Sequence, residues 1–197
     1  MKELVVATRN PGKLKEIRQL LEGHVCTLFS LADFQGLPQI IEDGDTFEKN
    51  AVKKARITAS IINKPVLADD SGLAVDILDG KPGIYSARFA GEGANDEQNN
   101  AKLLAELHGI PDGHRSAAFH CAVALCFPDG SCYTFAGELK GLILEKPRGS
   151  SGFGYDPLFF IPEYNKTLAE LPHEVKNKIS HRGKALANLK NFFLQSR

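Results

Sequence analysis

The chain has 197 residues, 43% of them hydrophobic, which is enough apolar material for one large domain or two lobes with a real core. Lys plus Arg and Asp plus Glu balance at 24 each, so the formal net charge is zero. That balance argues against nucleic-acid or membrane binding through bulk charge, while a small anionic ligand held by a few local bases remains allowed.

No apolar run approaches the length of a membrane span. The N-terminal run Leu4-Val5-Val6-Ala7 is too short for the apolar segment of a signal peptide and reads as a first strand. The four cysteines (Cys26, Cys121, Cys126 and Cys132) show neither a C-x-x-C pair nor zinc-type spacing. Cys121 and Cys126 sit in an apolar run as small buried hydrophobes, and the expectation is a reduced, cytoplasmic protein.

After the first strand, Thr8-Arg9-Asn10-Pro11-Gly12-Lys13 leads into a helix over Lys13–Leu21, with Leu14, Ile17, Leu20 and Leu21 on one face and Gly23 as its stop. A tight loop at a helix N-terminus suits anions, because backbone N–H groups and the helix dipole point there. It is not a Walker A loop: Ala7 stands where that motif needs Gly, and Leu14 where it needs Ser or Thr. An ordinary strand–helix connection is the alternative.

Val25–Ser30 reads as a second strand and 31–44 as a loop containing Glu42. Asp45-x-x-Glu48 resembles a helix start, and Phe47, Ala51, Ala55, Ala59 and Ile62 then fall at helical spacing through about Asn63. Asn50 and Lys54 share one flank of that stripe.

Next comes a polar knot, Asp69-Asp70-Ser71-Gly72, between the strand-like runs Val66–Ala68 and Leu73–Val75. Adjacent carboxylates are costly to bury unless a cation offsets them, and hard oxygen ligands suit magnesium. Asp, Ser and Gly are also turn residues, so a solvated turn is the competing reading.

The segment Ile84–Phe89 is a strand or an ordered loop. Asn95 with Gln98 caps a helix from about Asp96 to His108. Ser116–Phe127 is a central strand, Pro128-Asp129-Gly130 a hairpin turn and Cys132–Ala136 the return strand, with a further short strand at Leu142–Leu144.

The glycine-rich stretch from Gly149 to Pro157 holds Phe153, Gly154, Tyr155 and Asp156. Such a loop lets backbone approach a ligand while a ring stacks on a planar group; a surface loop with buried aromatics is the other reading. Leu158–Ile161 is a strand. The tail after Thr167 is helical with a break near Ser180, which is a plausible N-cap for a helix whose apolar face is Ala185, Leu186, Leu189 and Phe193. His181 and Arg182 then occupy a first helical turn, where the dipole disfavours bases and a bound anion would remove the conflict.

Six stretches taken together resemble the inosine/xanthosine triphosphate pyrophosphatase family. They are 6–13, 46–51, 68–73, 82–88, 152–157 and 180–183, in the family's order. Arg9 is a departure, since many members carry Gly there. The resemblance implies an α/β fold, a long mixed twisted β-sheet flanked by helices in two lobes with a central cleft, within one nucleoside-triphosphate pyrophosphatase domain over 1–197. It also implies a homodimer and magnesium.

By the same resemblance Thr8, Arg9, Asn10, Pro11, Gly12 and Lys13 form the triphosphate loop. Asp70 is the proton acceptor and a metal ligand, and Glu42 is the second metal-associated acid. Ser71 is a substrate contact. Phe153, Gly154, Tyr155 and Asp156 form the base loop, with Lys176, His181 and Arg182 as base and substrate contacts.

The implied reaction converts non-standard purine triphosphates (ITP, dITP, XTP) to the monophosphate and pyrophosphate. The rivals are a pyrimidine-directed Maf-like pyrophosphatase, a non-catalytic nucleotide-binding regulator and an RNA-binding module. Asp69, Asp70 and Lys13 being in place speaks against the regulator, and zero net charge against the RNA module. No nucleic-acid or membrane partner is expected.

Overall fold

The structure is a computed structural model that describes residues 1–25 and 27–195, so the strand expected over Val25–Ser30 falls partly outside the described residues at Cys26. Among the described residues seven strands form one mixed sheet in the order β2-β1-β3-β4-β5-β6-β7. They are β1 (Glu3–Val6), β2 (Thr27–Ser30), β3 (Val66–Val75), β4 (Ser116–Cys126), β5 (Cys132–Ile143), β6 (Phe159–Ile161) and β7 (Lys166–Thr167). β1 runs parallel to β2 and β3, whereas β6 is antiparallel to both β5 and β7. The helices are α1 (Pro11–Leu21), α2 (Phe47–Ile62), α3 (Asp96–Glu106), α4 (His173–Ile179) and α5 (His181–Gln195). None is long and apolar enough to cross a membrane.

The chain divides into two compact units, one of 1–70, 121–137 and 181–197, the other of 71–120 and 138–180. The boundaries fall inside β3, β4 and β5, so each long strand supplies residues to both. In the first unit two apolar clusters form. Leu4, Val6, Ile17, Leu21, Leu67, Val123, Leu186 and Leu189 bury on one another, as do Val5, Ala51, Ala55, Ala59, Val66, Ala68 and Ala124. The alanines of α2 recur at intervals of four, which is why this helix has a narrow buried stripe. The second unit has its own core of Leu73, Val75, Leu103, Leu107, Phe119, Tyr155, Leu158 and Phe159.

Several expectations change. Val66–Ala68 and Leu73–Val75 are not two strands joined by a turn but one ten-residue strand, with Asp69 and Asp70 inside it and buried. The first cap of α2 is Thr46, whose hydroxyl accepts from the Lys49 amide at 3.1 Å, and not Asp45, whose carboxylate pairs with Lys49 Nζ. The segment after the Pro82 turn is a 3₁₀ helix over Gly83–Arg88.

The return strand is also longer than expected and takes in 142–143. A disulfide joins Cys126 to Cys132 across the turn between β4 and β5, where the two Cα atoms lie 4.2 Å apart. The expectation of reduced thiols therefore fails for this pair, because the turn brings two cysteines six residues apart face to face. Cys121 remains a thiol, and burial pushes it up to about 12, so it is an inert core side chain.

Candidate active site

In the first unit the loop after β1 is built around Asn10. Its side chain accepts from the Lys13 amide at 3.0 Å, capping α1, while its own amide donates to Thr8 Oγ1 at 3.2 Å. Pro11 takes the first helical position, where a missing N–H costs nothing. This local chemistry points Lys13 inward, to 3.3 Å from Asp69 Oδ2. Thr8, Arg9, Asn10 and Pro11 also line a cavity of about 510 Å³ together with Ser30, Leu31 and Phe34.

β3 carries both carboxylates. Asp69 Oδ2 accepts from Arg182 Nε at 3.1 Å and Nη2 at 3.0 Å, and Arg182 Nη1 reaches Glu16 Oε2 at 2.6 Å. Burial pushes Asp69 up, but Lys13, Arg182 and Lys54 more than offset it and hold the carboxyl well below its usual range. Asp70 sits differently. Burial holds it above the usual range, Lys54 and Lys13 lower it only in part, and Glu42 adds to the rise. Two adjacent acids of one strand are thus split into a committed anion and a more basic carboxylate.

Asp70 is fixed from α2. Asn50 Nδ2 donates to Asp70 Oδ2 at 3.0 Å, while Asn50 Oδ1 accepts from the Gly44 amide at 2.7 Å, which sets the amide's orientation. A Cβ at Gly44 would stand 2.7 Å from that oxygen, so the loop before α2 closes on Asn50 only with glycine there. One turn on, Lys54 Nζ lies 2.6 Å from Glu42 Oε1 and 2.6 Å from the Asp69 carbonyl. Burial lowers the Lys54 pKa, yet Asp69, Glu42 and Asp70 together raise it overall, so it stays charged.

Hard oxygen donors and neighbouring phosphate are what magnesium takes, with one or two protein carboxylates sufficing. Asp70 and Glu42 fit that donor set: Glu42 disfavours the Asp70 charge, which a cation would relieve, and buried Asp69 Oδ1 has no hydrogen-bond partner among the described residues. No group of three or more His, Cys, Asp or Glu converges among the described residues, so an all-protein metal cage is not what these residues build.

In the second unit the glycine-rich loop is organised by Asp156. Its Oδ2 accepts from the Phe153 amide at 3.0 Å and from Lys176 Nζ of α4 at 2.7 Å. Gly152 has φ +85° and a Cβ there would lie 2.1 Å from that oxygen, so only glycine lets the loop fold over the carboxylate. The Lys176 ammonium also lies 5.0 Å from the centre of the Phe153 ring. Tyr155 is buried in the core, and its hydroxyl donates to the Ser86 carbonyl at 2.9 Å. Burial, with Asp96 nearby, pushes the phenol up, so it stays protonated as a donor.

Lys13, Glu42, Asp70 and Arg182 are thus brought together around Asp69 and Lys54 within the first unit, which also holds Thr8–Gly12 and buried His181. Phe153, Gly154, Asp156 and Lys176 converge within the second, to which Ser71 belongs. Tyr155 serves this loop as an anchor.

The conflict expected at the start of α5 is resolved by Asp69 and Glu16 themselves. Ser180 lies in extended backbone between α4 and α5 and donates its amide to the Lys176 carbonyl, closing α4. Residues left out of the expected site are Asn50, Lys54 and Glu16. The i, i+4 pairing of Asn50 and Lys54 was their signal, whereas nothing in the local sequence marks Glu16.

Comparison with known proteins gives the family of the chain. The sequence profile of the Ham1 family matches residues 4–192. The chain is 62% identical over 191 residues to a dITP/XTP pyrophosphatase of Geobacter sulfurreducens, covering 97% of this chain and 96% of that protein. It is 49% identical over 189 residues to the dITP/XTP pyrophosphatase of Bacillus subtilis, covering 96% of each. Its structure is similar to that of the Staphylococcus aureus Ham1 protein, with a TM-score of 0.89 at 39% identity over the full length of both. A nucleoside-triphosphatase / dITP/XTP pyrophosphatase from Mycobacterium abscessus matches at a TM-score of 0.77 and 46% identity, over 95% of this chain and 98% of that one. A profile match over almost the whole length, with relatives this similar across their entire chains, places this protein in the Ham1 family.

Proposed function

We propose that the chain is a nucleoside-triphosphate pyrophosphatase that hydrolyses dITP, ITP and XTP to the monophosphate and pyrophosphate. The observation that carries this reading is Asp70: a buried carboxylate held above its usual range, oriented by Asn50 and flanked by Lys13 and Lys54. A carboxylate raised toward neutrality is a better proton acceptor than an ordinary one. Asp70 takes a proton from the attacking water, and Lys13, Arg9 and the α1 N-terminus stabilise negative charge gathering on the leaving pyrophosphate. Attack at either the α or the β phosphorus gives these products. Magnesium held by Asp70 and Glu42 would supply charge neutralisation of the phosphates.

The base is the task of the second unit. A 6-oxo purine offers an acceptor where adenine offers an amino donor. Lys176 turned toward that oxygen favours hypoxanthine and xanthine, and sites of this kind discriminate by roughly 10⁴-fold. Asp156 Oδ2 accepts from the Phe153 amide and from Lys176, so this oxygen is committed to the shape of the loop. Magnesium dependence and a homodimer belong to the same proposal and rest on family resemblance.

The test is pyrophosphate release with magnesium across dITP, ITP, XTP, GTP, ATP, UTP and TTP, for the wild type and Asp70→Asn. Release from the 6-oxo, non-guanine purines, falling by about three orders of magnitude in kcat in Asp70→Asn, is the expected result. A pyrimidine as best substrate would move the protein to the Maf-like activity. Binding of ITP without release from any nucleotide would make it a regulator.

A further inference from the structure

The loop that carries Phe153 is also held by a helix outside the expected site. Asp96 and Asn100 stand four residues apart on α3 and so share one face. Asp96 Oδ2 accepts from the Gly154 amide at 2.6 Å, and Asn100 Nδ2 donates to the Gly154 carbonyl at 2.9 Å. Both hydrogen-bonding groups of one residue are thus taken by one helix. Gly154 has φ +62°, a left-handed conformation that most side chains resist.

The helix is a firm support. Asn95 and Gln98 form a reciprocal capping box, Leu103 and Leu107 are buried in the core, and Asn99 bonds the Ala90 amide and the Ala87 carbonyl. Asn100 itself has a cost: its Oδ1 is buried with no hydrogen-bond partner among the described residues. A buried acceptor left unsatisfied is unfavourable, and a leucine of similar size would avoid it. The amide is therefore explained by its bond to Gly154 and not by packing.

Resting on the reading of this loop as the base site, we infer that Asp96 and Asn100 are positioning residues for base recognition. They hold the Gly154 peptide and so set where the adjacent Phe153 ring meets the purine of a 6-oxo nucleotide. Neither residue acts on the phosphates.

The experiment compares KM and kcat for dITP and XTP, together with inhibition by pyrophosphate, a probe that has no base. The variants are Asp96→Ala, Asp96→Asn, Asn100→Leu and Phe153→Ala. Asp96→Ala is expected to raise KM about tenfold, the size of one charge-assisted hydrogen bond, with kcat and pyrophosphate inhibition changed less than about twofold. Asp96→Asn retains an acceptor and restores most of the affinity. Asn100→Leu removes the orphaned oxygen together with the bond to Gly154, so it is expected to raise KM without lowering Tm, an outcome a merely structural residue would not give. If Phe153→Ala raises KM and the α3 variants do not, the positioning role is wrong and the base loop stands. If Phe153→Ala leaves KM unchanged, the base-loop reading fails and the positioning role fails with it.

Discussion

The two units handle buried charge in opposite ways. In the first, charges are shared: Asp69 serves Lys13 and Arg182, Arg182 also serves Glu16, and Lys54 serves Glu42 and the β3 backbone. In the second, Asp156 and Lys176 pair beside the Phe153 amide and ring, and buried Arg115 is held by the Ile110 and Leu107 carbonyls and by Glu145. A shared network lets one carboxylate, Asp69, absorb positive charge so that its neighbour, Asp70, remains a base. The Asp156–Lys176 pair holds a loop's shape. The first arrangement suits chemistry and the second suits recognition.

The largest expected effect comes from breaking the shared network. Arg182→Met leaves Asp69 and Glu16 without their common cation and should cost about 3–5 kcal/mol, which calorimetry would register as roughly a 10 °C fall in Tm. A loss under 1 kcal/mol would mean Lys13 alone holds Asp69.

The same network predicts an acid limb. The folded-state pKa of Asp69 lies below its ordinary 3.8, so its contribution to stability is full above that pH and is lost as pH falls through the folded value. The Tm difference between wild type and Asp69→Asn should therefore shrink below about pH 4. A constant difference from pH 7 to pH 3 would show that the pairing with Lys13 and Arg182 does not lower Asp69.

Lys176→Met tests the Asp156–Lys176 pair. Asp156 keeps the Phe153 amide as a donor, so the expected loss is about 1.5–3 kcal/mol, accompanied by a raised KM for purine nucleotides with pyrophosphate inhibition unchanged. An equal loss of pyrophosphate binding would break the division of labour between the units. The smallest effect is at the cap of α2. Thr46→Ala should cost about 1 kcal/mol in urea denaturation and leave the choice among nucleotides untouched, because Asn50 and Lys54 lie beyond the first turn.

Which parts of this molecule could be read without a structure follows from how local their causes are. The caps of α1 and α3 are written in Asn10 and in the Asn95/Gln98 pair, since each acts on amides within three residues. The apolar stripe of α2 and the long runs of β4 and β5 are similarly local. The six short stretches also pointed to the family, because each carries residue types that chemistry constrains wherever the chain folds.

Tertiary structure decided the rest. A strand can pass through Asp69-Asp70-Ser71-Gly72 only when cations from α1, α2 and α5 neutralise it, and nothing within that stretch announces them. Arg182 finds Glu16 across 166 residues, and the α3 face finds Gly154 across more than fifty. The difference in basicity between Asp69 and Asp70 likewise has no local origin. It arises because burial penalises both carboxylates while the guanidinium of Arg182 lands on only one of them.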